Sequence, residues 1–182
     1  MANGFASSTI HMGQTCSEPH EMQETRPTLH LLCGKIASGK STLAKELAGT
    51  PRTVIIGEDD WLEHLFPGEI NAVDDYIRCT VRLRNAIGPH VTELLRIGVS
   101  VVLDFPANTI ANRTWMKNLL TGIQSELALH FLDVPDDECL IRLRARNAAR
   151  SHAFVVDDAQ FDLITSYFEA PGKEEGFNII WH

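Results

Sequence analysis

The sequence predicts an α/β fold built on a doubly wound parallel sheet, and three observations predict it. Short, continuous apolar runs recur along the chain, as strands covered on both faces require. Segments with helical spacing separate these runs, the order expected of βαβ units. A glycine-rich G-x-x-x-x-G-K-S sequence, Gly34 to Ser41, joins the first run to the first helical segment. At 182 residues the chain is long enough for one domain with a self-sufficient core.

Residues 1–27 are polar and aperiodic and end in Pro27. They are expected to form a flexible leader, with the folded domain occupying residues 28–182. Leu29–Cys33 is an apolar run ending in glycine, read as a buried strand. Lys40–Ala48 has helical spacing and stops at Gly49-Thr50-Pro51. Thr53–Ile56 is a second, β-branched strand, and Asp60–Phe66 a short helix closed by Pro67-Gly68. Residues 72–97 form a long helical stretch with a predicted apolar face of Val73, Ile77, Val81, Ile87, Val91 and Leu94. Gly88-Pro89 should break or kink it. Val99–Leu103 is a third strand, Ala111–Leu120 a helix, and Leu127–Leu132 a fourth strand. Helices over Asp136–Asn147 and Ala159–Phe168 and a last strand over Phe177–Trp181 complete the pattern. There is no internal repeat and no low-complexity tract.

Composition narrows the function classes. Hydrophobic residues make up 44% and charged residues 22%, which is ordinary for a globular protein. The formal net charge of −8 argues against a nucleic-acid partner, because phosphate contacts need clustered Lys and Arg, although a local basic groove can sit on an acidic protein. Cys16, Cys33, Cys79 and Cys139 are widely spaced without a CxxC pair, so reduced thiols are expected rather than a disulfide scaffold or zinc site. The eight histidines show no HxxxH or HxH spacing, and no metal site is assigned to them. No apolar run approaches the ~20 residues that span a bilayer, and no signal-peptide pattern opens the chain, so a cytoplasmic location without a membrane partner is expected. The sequence carries no sign of oligomeric state.

The Gly34–Ser41 segment is the Walker A pattern. Gly34 and Gly39 let the backbone approach phosphates without a Cβ in the way. Successive N–H groups through Lys35, Ala37, Ser38, Gly39 and Thr42, with the positive end of the following helix, form an anion cradle. Lys40 reaches the β- and γ-phosphates, and the Ser41 hydroxyl ligates magnesium. The expected ligands are therefore ATP and Mg²⁺. The motif alone does not separate a kinase from a GTPase or a motor, but no NKxD sequence is present, which disfavours a G-protein switch.

Residues 29–182 resemble the P-loop kinase-like ATP-binding proteins grouped as the AAA-33 family. That group is related to the kinase domain of polynucleotide kinase, chloramphenicol phosphotransferase, gluconate kinase and zeta toxin. The resemblance is carried by Gly34–Thr42, by Ile55-Ile56-Gly57-Glu58-Asp59-Asp60-Trp61, by Val101-Val102-Leu103-Asp104-Phe105, by Arg142-Leu143-Arg144-Ala145-Arg146-Asn147 and by Glu175-Gly176-Phe177. It implies a P-loop NTPase three-layer sandwich with a short lid. The chain is too short for an unfoldase module with a helical lid domain.

A carboxylate just after the second strand can reach an acceptor hydroxyl near the γ-phosphate, and the resemblance places Asp59 there as base, with Asp60 as second candidate. The competing reading is that both acids favour the helix start. Asp104 matches the Walker B position, which holds magnesium through water; the alternative is a loop-start aspartate bonding Asn108 or Thr109 backbone groups. Arg142 and Arg146 share a helix face. The resemblance implies that Arg142 stacks on adenine and Arg146 meets the transferring phosphates, with Arg150 a further lid candidate. A solvated basic face paired with Asp136, Asp137 or Glu138 is the competing account. Arg113 is a candidate for substrate or γ-phosphate, the alternative being a pair with a surface acid. Tyr76, Arg78, Arg82 and Arg84 lie where related kinases recognise their acceptors, and Arg78 with Arg82 would suit an acidic one.

The function that follows is an ATP- and Mg²⁺-dependent phosphotransferase, a kinase acting on a small-molecule hydroxyl. The alternatives are a polynucleotide 5′-hydroxyl kinase, a toxin-like sugar-nucleotide kinase and a non-enzymatic nucleotide switch.

Overall fold

The structure is a computed structural model that describes Met1, residues 26–149 and residues 155–182. The expected leader thus falls almost wholly outside the described residues, as do Cys16 and Arg150. Five strands form one sheet: β1 (Thr28–Cys33), β2 (Thr53–Gly57), β3 (Ser100–Pro106), β4 (Glu126–Phe131) and β5 (Asn178–Trp181). Among the described residues six α-helices connect the strands: α1 (Lys40–Ala48), α2 (Glu58–Leu65), α3 (Val73–Arg96), α4 (Ile110–Asn118), α5 (Asp136–Ala148) and α6 (Asp158–Ser166). The strand order is β2-β3-β1-β4-β5, and every neighbouring pair is parallel.

The central strands β1, β3 and β4 are covered on both faces, which is why they read as unbroken apolar runs. Leu29, Leu31, Leu103, Phe105 and Leu129 pack on one side against Cys79, Leu83, Ile87 and Val91 of α3 and Met116 of α4. On the other side Leu32 and Val102 meet Ala44 of α1, with Leu43 and Leu47 beside it. Each fully buried leucine contributes about 1.5–3 kcal/mol by leaving water.

Three local expectations need correction. First, α3 runs unbroken through Gly88-Pro89. Gly88 allows close approach to α4: a Cβ there would lie 3.3 Å from Leu119 Cδ2. Pro89 and Asn85, whose carbonyl loses its helical donor to the proline, are both exposed, so water can satisfy that carbonyl. Second, the buried stripe of α3 is Cys79, Leu83, Ile87, Val91 and Leu95, whereas Ile77 and Val81 are 55% and 51% exposed. The first half of α3 thus carries two apolar stripes, and only one faces the sheet. Third, β3 continues to Pro106 because Phe105 is itself core, so Asp104 lies within the strand, opposite Gly57 of β2.

The start of α2 also moves. It begins at Glu58, which puts Glu58, Asp59 and Asp60 in its first turn. Three acids there are stabilised by the positive end of the helix.

Candidate functional site

The chain between β1 and α1 turns on itself at the carboxyl end of the sheet. A Cβ on Gly34 would lie 2.6 Å from Ser38 Oγ and 3.0 Å from the Leu132 carbonyl, so only glycine fits. Gly39 has φ 107°, the left-handed region that glycine tolerates. Ala37 adopts φ 60° without that freedom, a cost of about 1–3 kcal/mol that the surrounding loop must hold. The Gly34 N–H donates to Asn108 Oδ1 at 2.9 Å, which ties the loop to the turn after β3. Lys40 curls back and donates to the Gly34 and Lys35 carbonyls, both at 2.7 Å. Burial lowers its pKa to about 8, against the opposing pull of Asp104, Cys33, Cys139 and Asp59. Lys35 forms an ion pair with Asp136 and lies 5.8 Å from the Phe168 ring centre.

The acids gather around this loop. Ser41 lies beside Asp104, whose pKa is raised chiefly by burial, with Ser41 and Lys40 opposing. Ser41 and Asp104 are both oxygen donors of the kind Mg²⁺ prefers. Asp59 is close enough to act electrostatically on Lys40, on Arg146 and on Tyr76. Asp60 acts on Asp104, and its carboxylate lies 3.3 Å from where a Cβ on Gly57 would stand. The third acid of the run, Glu58, is buried: it accepts from Tyr76 Oη at 2.9 Å and pairs with Arg84 at 3.5 Å. Burial raises its pKa, with Arg84 and Tyr76 opposing. Nothing in three consecutive acids marks Glu58 as the buried one; its partners lie 18 and 26 residues away.

The arginines divide. Arg142 donates to the Ser38 carbonyl at 3.1 Å and pairs with Glu138 one turn back. Arg146, on the same face of α5, is half-buried; desolvation lowers its pKa against the raising effect of Asp59. Arg144 turns away to Asp158 at 2.5 Å.

Arg113 is built into the fold. It has no exposed surface, pairs with Glu175 through Nε and Nη2 at 2.7 and 2.9 Å, and donates to the Ala107 and Glu169 carbonyls. It is a lock on the fold rather than a substrate contact, and deleting one partner of such a pair costs about 3–5 kcal/mol. Its carboxylate partner is 62 residues away, which no spacing reveals. Arg78 and Arg82 are both exposed, and Arg78 pairs with Asp75 on its own helix. Tyr76, Thr80 and Arg84, one turn apart on another side of α3, line a cavity instead.

One cavity borders the loop, and a second is reached through the Asn108 turn that holds the loop. The first, about 480 Å³, is lined by Ser38, Gly39, Thr42, Leu43, Arg142 and His182 among others. The second, about 350 Å³, lies between α3, the β3–α4 turn and the end of α6. His182 belongs to a ladder that the sequence concealed. His30 Nδ1 and His130 Nε2 are 3.0 Å apart, as are His130 Nδ1 and His182 Nε2. These three residues, 100 and 52 positions apart, come together on β1, β4 and the end of β5. Burial, then the charges of His30 and His182, lower the His130 pKa to about 4. Among the described residues no three His, Cys, Asp or Glu are arranged to hold a metal, and no helix is long and apolar enough to cross a membrane.

Comparison with known proteins places this geometry. The sequence model of the AAA domain family AAA_33 matches residues 29–171. A search of curated proteins matches nothing. Among solved structures, a candidate kinase of Chloroflexus aurantiacus is 20% identical with a TM-score of 0.69, covering 87% of this chain and 85% of that one. A chain of the Pnkp1/Rnl/Hen1 RNA repair complex is 19% identical with a TM-score of 0.63, and the match covers 82% of this chain but 46% of that one. The Mycobacterium tuberculosis APS kinase CysC, solved with AMPPNP and APS, is 18% identical with a TM-score of 0.54, covering 81% of this chain and 84% of that one. At these identities the likeness establishes the P-loop kinase-like fold.

Proposed function

We propose, from the premise that this chain belongs to the AAA_33 family of AAA domains, that it is an ATP- and magnesium-dependent kinase of a small-molecule hydroxyl. One observation carries the reading: Asp59, at the first turn of α2, shares a single electrostatic neighbourhood with the loop lysine Lys40 and the α5 arginine Arg146. A base, a phosphate-binding cation and a second cation that could meet developing charge are the three groups that phosphoryl transfer asks of a protein.

The roles follow from position. The loop from Gly34 to Thr42 would cradle the phosphates with backbone N–H groups, including those of Lys35, Ala37, Ser38 and Gly39, and Lys40 would leave its two carbonyl partners for phosphate oxygens. Arg142, beside Ser38 in the first cavity, would cover the purine face. Ser41 and Asp104 would hold Mg²⁺, which when bound offsets phosphate charge. In the reaction the acceptor oxygen bonds to the γ-phosphorus while the bond to the β–γ bridging oxygen breaks. ADP leaves with that electron pair, and the acceptor proton passes to Asp59. Arg146 meets the charge spread over the γ-oxygens. Asp60, nearer Asp104, is placed to serve the metal shell rather than the acceptor.

The pairing of surface arginines counts against a polynucleotide acceptor. Arg78, Arg96 and Arg144 each pair with a carboxylate, which leaves them poorly placed to form a basic track. The test of the main reading is Asp59→Asn. Phosphoryl transfer should fall ~10²-fold or more with ATP binding nearly intact, the range of a lost general base, and Asp60→Asn should do less. Unchanged transfer by Asp59→Asn would remove the base from this account.

A further inference from the structure

We propose that the acceptor is an uncharged alcohol with an apolar, ring-sized body, bound in the cavity between α3, the β3–α4 turn and the end of α6. This deepens the phosphotransferase reading and rests on it for the identity of the second substrate.

Three side chains link the cavity to the phosphate loop and to α2. Asn108 lines it and holds the Gly34 N–H, so one side chain touches both the cavity and the start of the phosphate loop. Phe168 lines it and lies beneath Lys35 of the same loop. Tyr76 lines it and bonds Glu58, the neighbour of Asp59. The first cavity, with Arg142 and His182, touches other loop residues. A nucleotide in the first and an acceptor in the second would thus meet over the loop.

Its chemistry excludes the commonest acceptors. Arg84 is the one charged side chain lining it among the described residues. That guanidinium already pairs with Glu58, donates to Asn112 Oδ1 at 2.8 Å and lies 5.0 Å from the Trp115 ring centre. Glu58 is 1% exposed and leaves little positive charge over for a phosphate or carboxylate on the substrate. Thr80 Oγ1 and Arg84 Nε are buried without a hydrogen-bond partner, and the other polar side chains are largely turned on one another. Asn112 accepts from Arg84 and donates to the Pro106 carbonyl, and Thr109 Oγ1 accepts the Asn112 N–H. Those two unpartnered groups can meet one or two substrate hydroxyls, whereas a polyol would give up water at several and pair few of them.

What remains on offer is apolar. Ile77, Val81, Ile164 and Tyr167 line the cavity while 55%, 51%, 45% and 67% exposed. Large side chains left uncovered at the mouth of a pocket mark a surface that a ligand covers. This also accounts for the second apolar stripe of α3, which faces no part of the sheet. A volume of about 350 Å³ sits at the small end of ligand sites and suits one ring with a short hydroxylated chain.

The test uses the full chain with ATP and Mg²⁺ and four acceptor classes: 1-phenylethane-1,2-diol with other uncharged aryl diols, glucose, glucose 6-phosphate and a 5′-hydroxyl oligodeoxynucleotide. ADP release and the mass of the phosphorylated product are read together. Expected is at least a tenfold stimulation by an aryl diol, with its KM raised at least tenfold by Val81→Asp or Ile164→Asp and the KM for ATP within twofold of wild type. Circular dichroism of both variants separates this from misfolding. Stimulation confined to the sugar, the sugar phosphate or the oligonucleotide overturns the inference while phosphoryl transfer stands. If no class is phosphorylated, the transferase reading fails, and calorimetry of 1-phenylethane-1,2-diol with the protein and AMPPNP decides the cavity. Binding lost in Val81→Asp upholds the chemistry inferred for it; binding absent, or equal in the variant, overturns it.

Discussion

The phosphate loop and the second cavity lie side by side yet are built in opposite ways. The loop is one contiguous stretch, Gly34 to Thr42, whose contacts are largely backbone and whose shape is set by two glycines, a strained alanine and one lysine. The cavity is assembled from side chains as far apart as Tyr76 and Phe168. The loop presents a cation held only by carbonyls, while the cavity closes its cation into a pair with Glu58. Recognition of an invariant group, the triphosphate, can thus be written into local sequence. Recognition of the variable partner is written into tertiary packing.

This contrast can be broken most severely at Lys40. Lys40→Ala should abolish ATP turnover while leaving the helical signal in circular dichroism intact, because its ammonium bonds loop carbonyls rather than core. Wild-type ATP affinity in the variant would remove Lys40 from the site. A pH series sharpens the same point. The ammonium form binds phosphate, and its pKa before binding is about 8. ATP affinity should therefore hold below that value and fall as pH rises through it, with proton uptake on binding near pH 8 seen as buffer-dependent heat.

The next largest effects should separate the two α5 arginines. Arg146→Ala should lower kcat by ~10²–10³-fold, the range for a lost transition-state donor, with a smaller change in ATP affinity. Arg142→Ala should mainly raise the KM for ATP. Small, equal effects for both would return them to a solvated helix face.

The smallest effect concerns stability. His130 has a pKa of about 4 in the fold against an ordinary 6.5, so the unfolded chain binds the proton more tightly. Stability from this group is full above pH 6.5 and is lost as pH falls towards 4. Glu58 and Asp104, with raised values, act in the opposite sense over their own range, taking up protons in the fold first. Thermal melts from pH 7.5 to 5 should thus fall more steeply for wild type than for His130→Gln. Parallel curves would show that the ladder bears no part of the pH dependence.

Much of this fold can be read in the sequence because parallel strands and the Walker A loop leave local traces. Lys40–Ala48 begins and ends where glycine and the proline stop predict. The failures share one cause, which is contact at long range. Ile77 and Val81 have helical spacing fit for a core, yet the sheet is met by Cys79 and Leu83 instead. Gly88-Pro89 reads as a break until α4 packs against the glycine. Arg113 looks like a substrate ligand until Glu175 folds back over it. The acids after β2 are legible as a group, but their division into a buried Glu58 and an exposed Asp59 is decided by Tyr76 and Arg84.

The histidine ladder obeys a rule of parity. Three neutral rings carry three ring protons, and each of the two N···N bonds retains one. The third must sit at an end, on His182 Nδ1 or on His30 Nε2, and both bonds survive only if all three rings change tautomer together. The sense in which His182 meets the first cavity, donor or acceptor, is then always the inverse of the sense His30 shows at the far end. One added proton makes both ends donors and keeps both bonds, whereas a second must break one. The two neutral arrangements of the ladder therefore carry the same net charge and differ in what His182 presents at the wall of the first cavity.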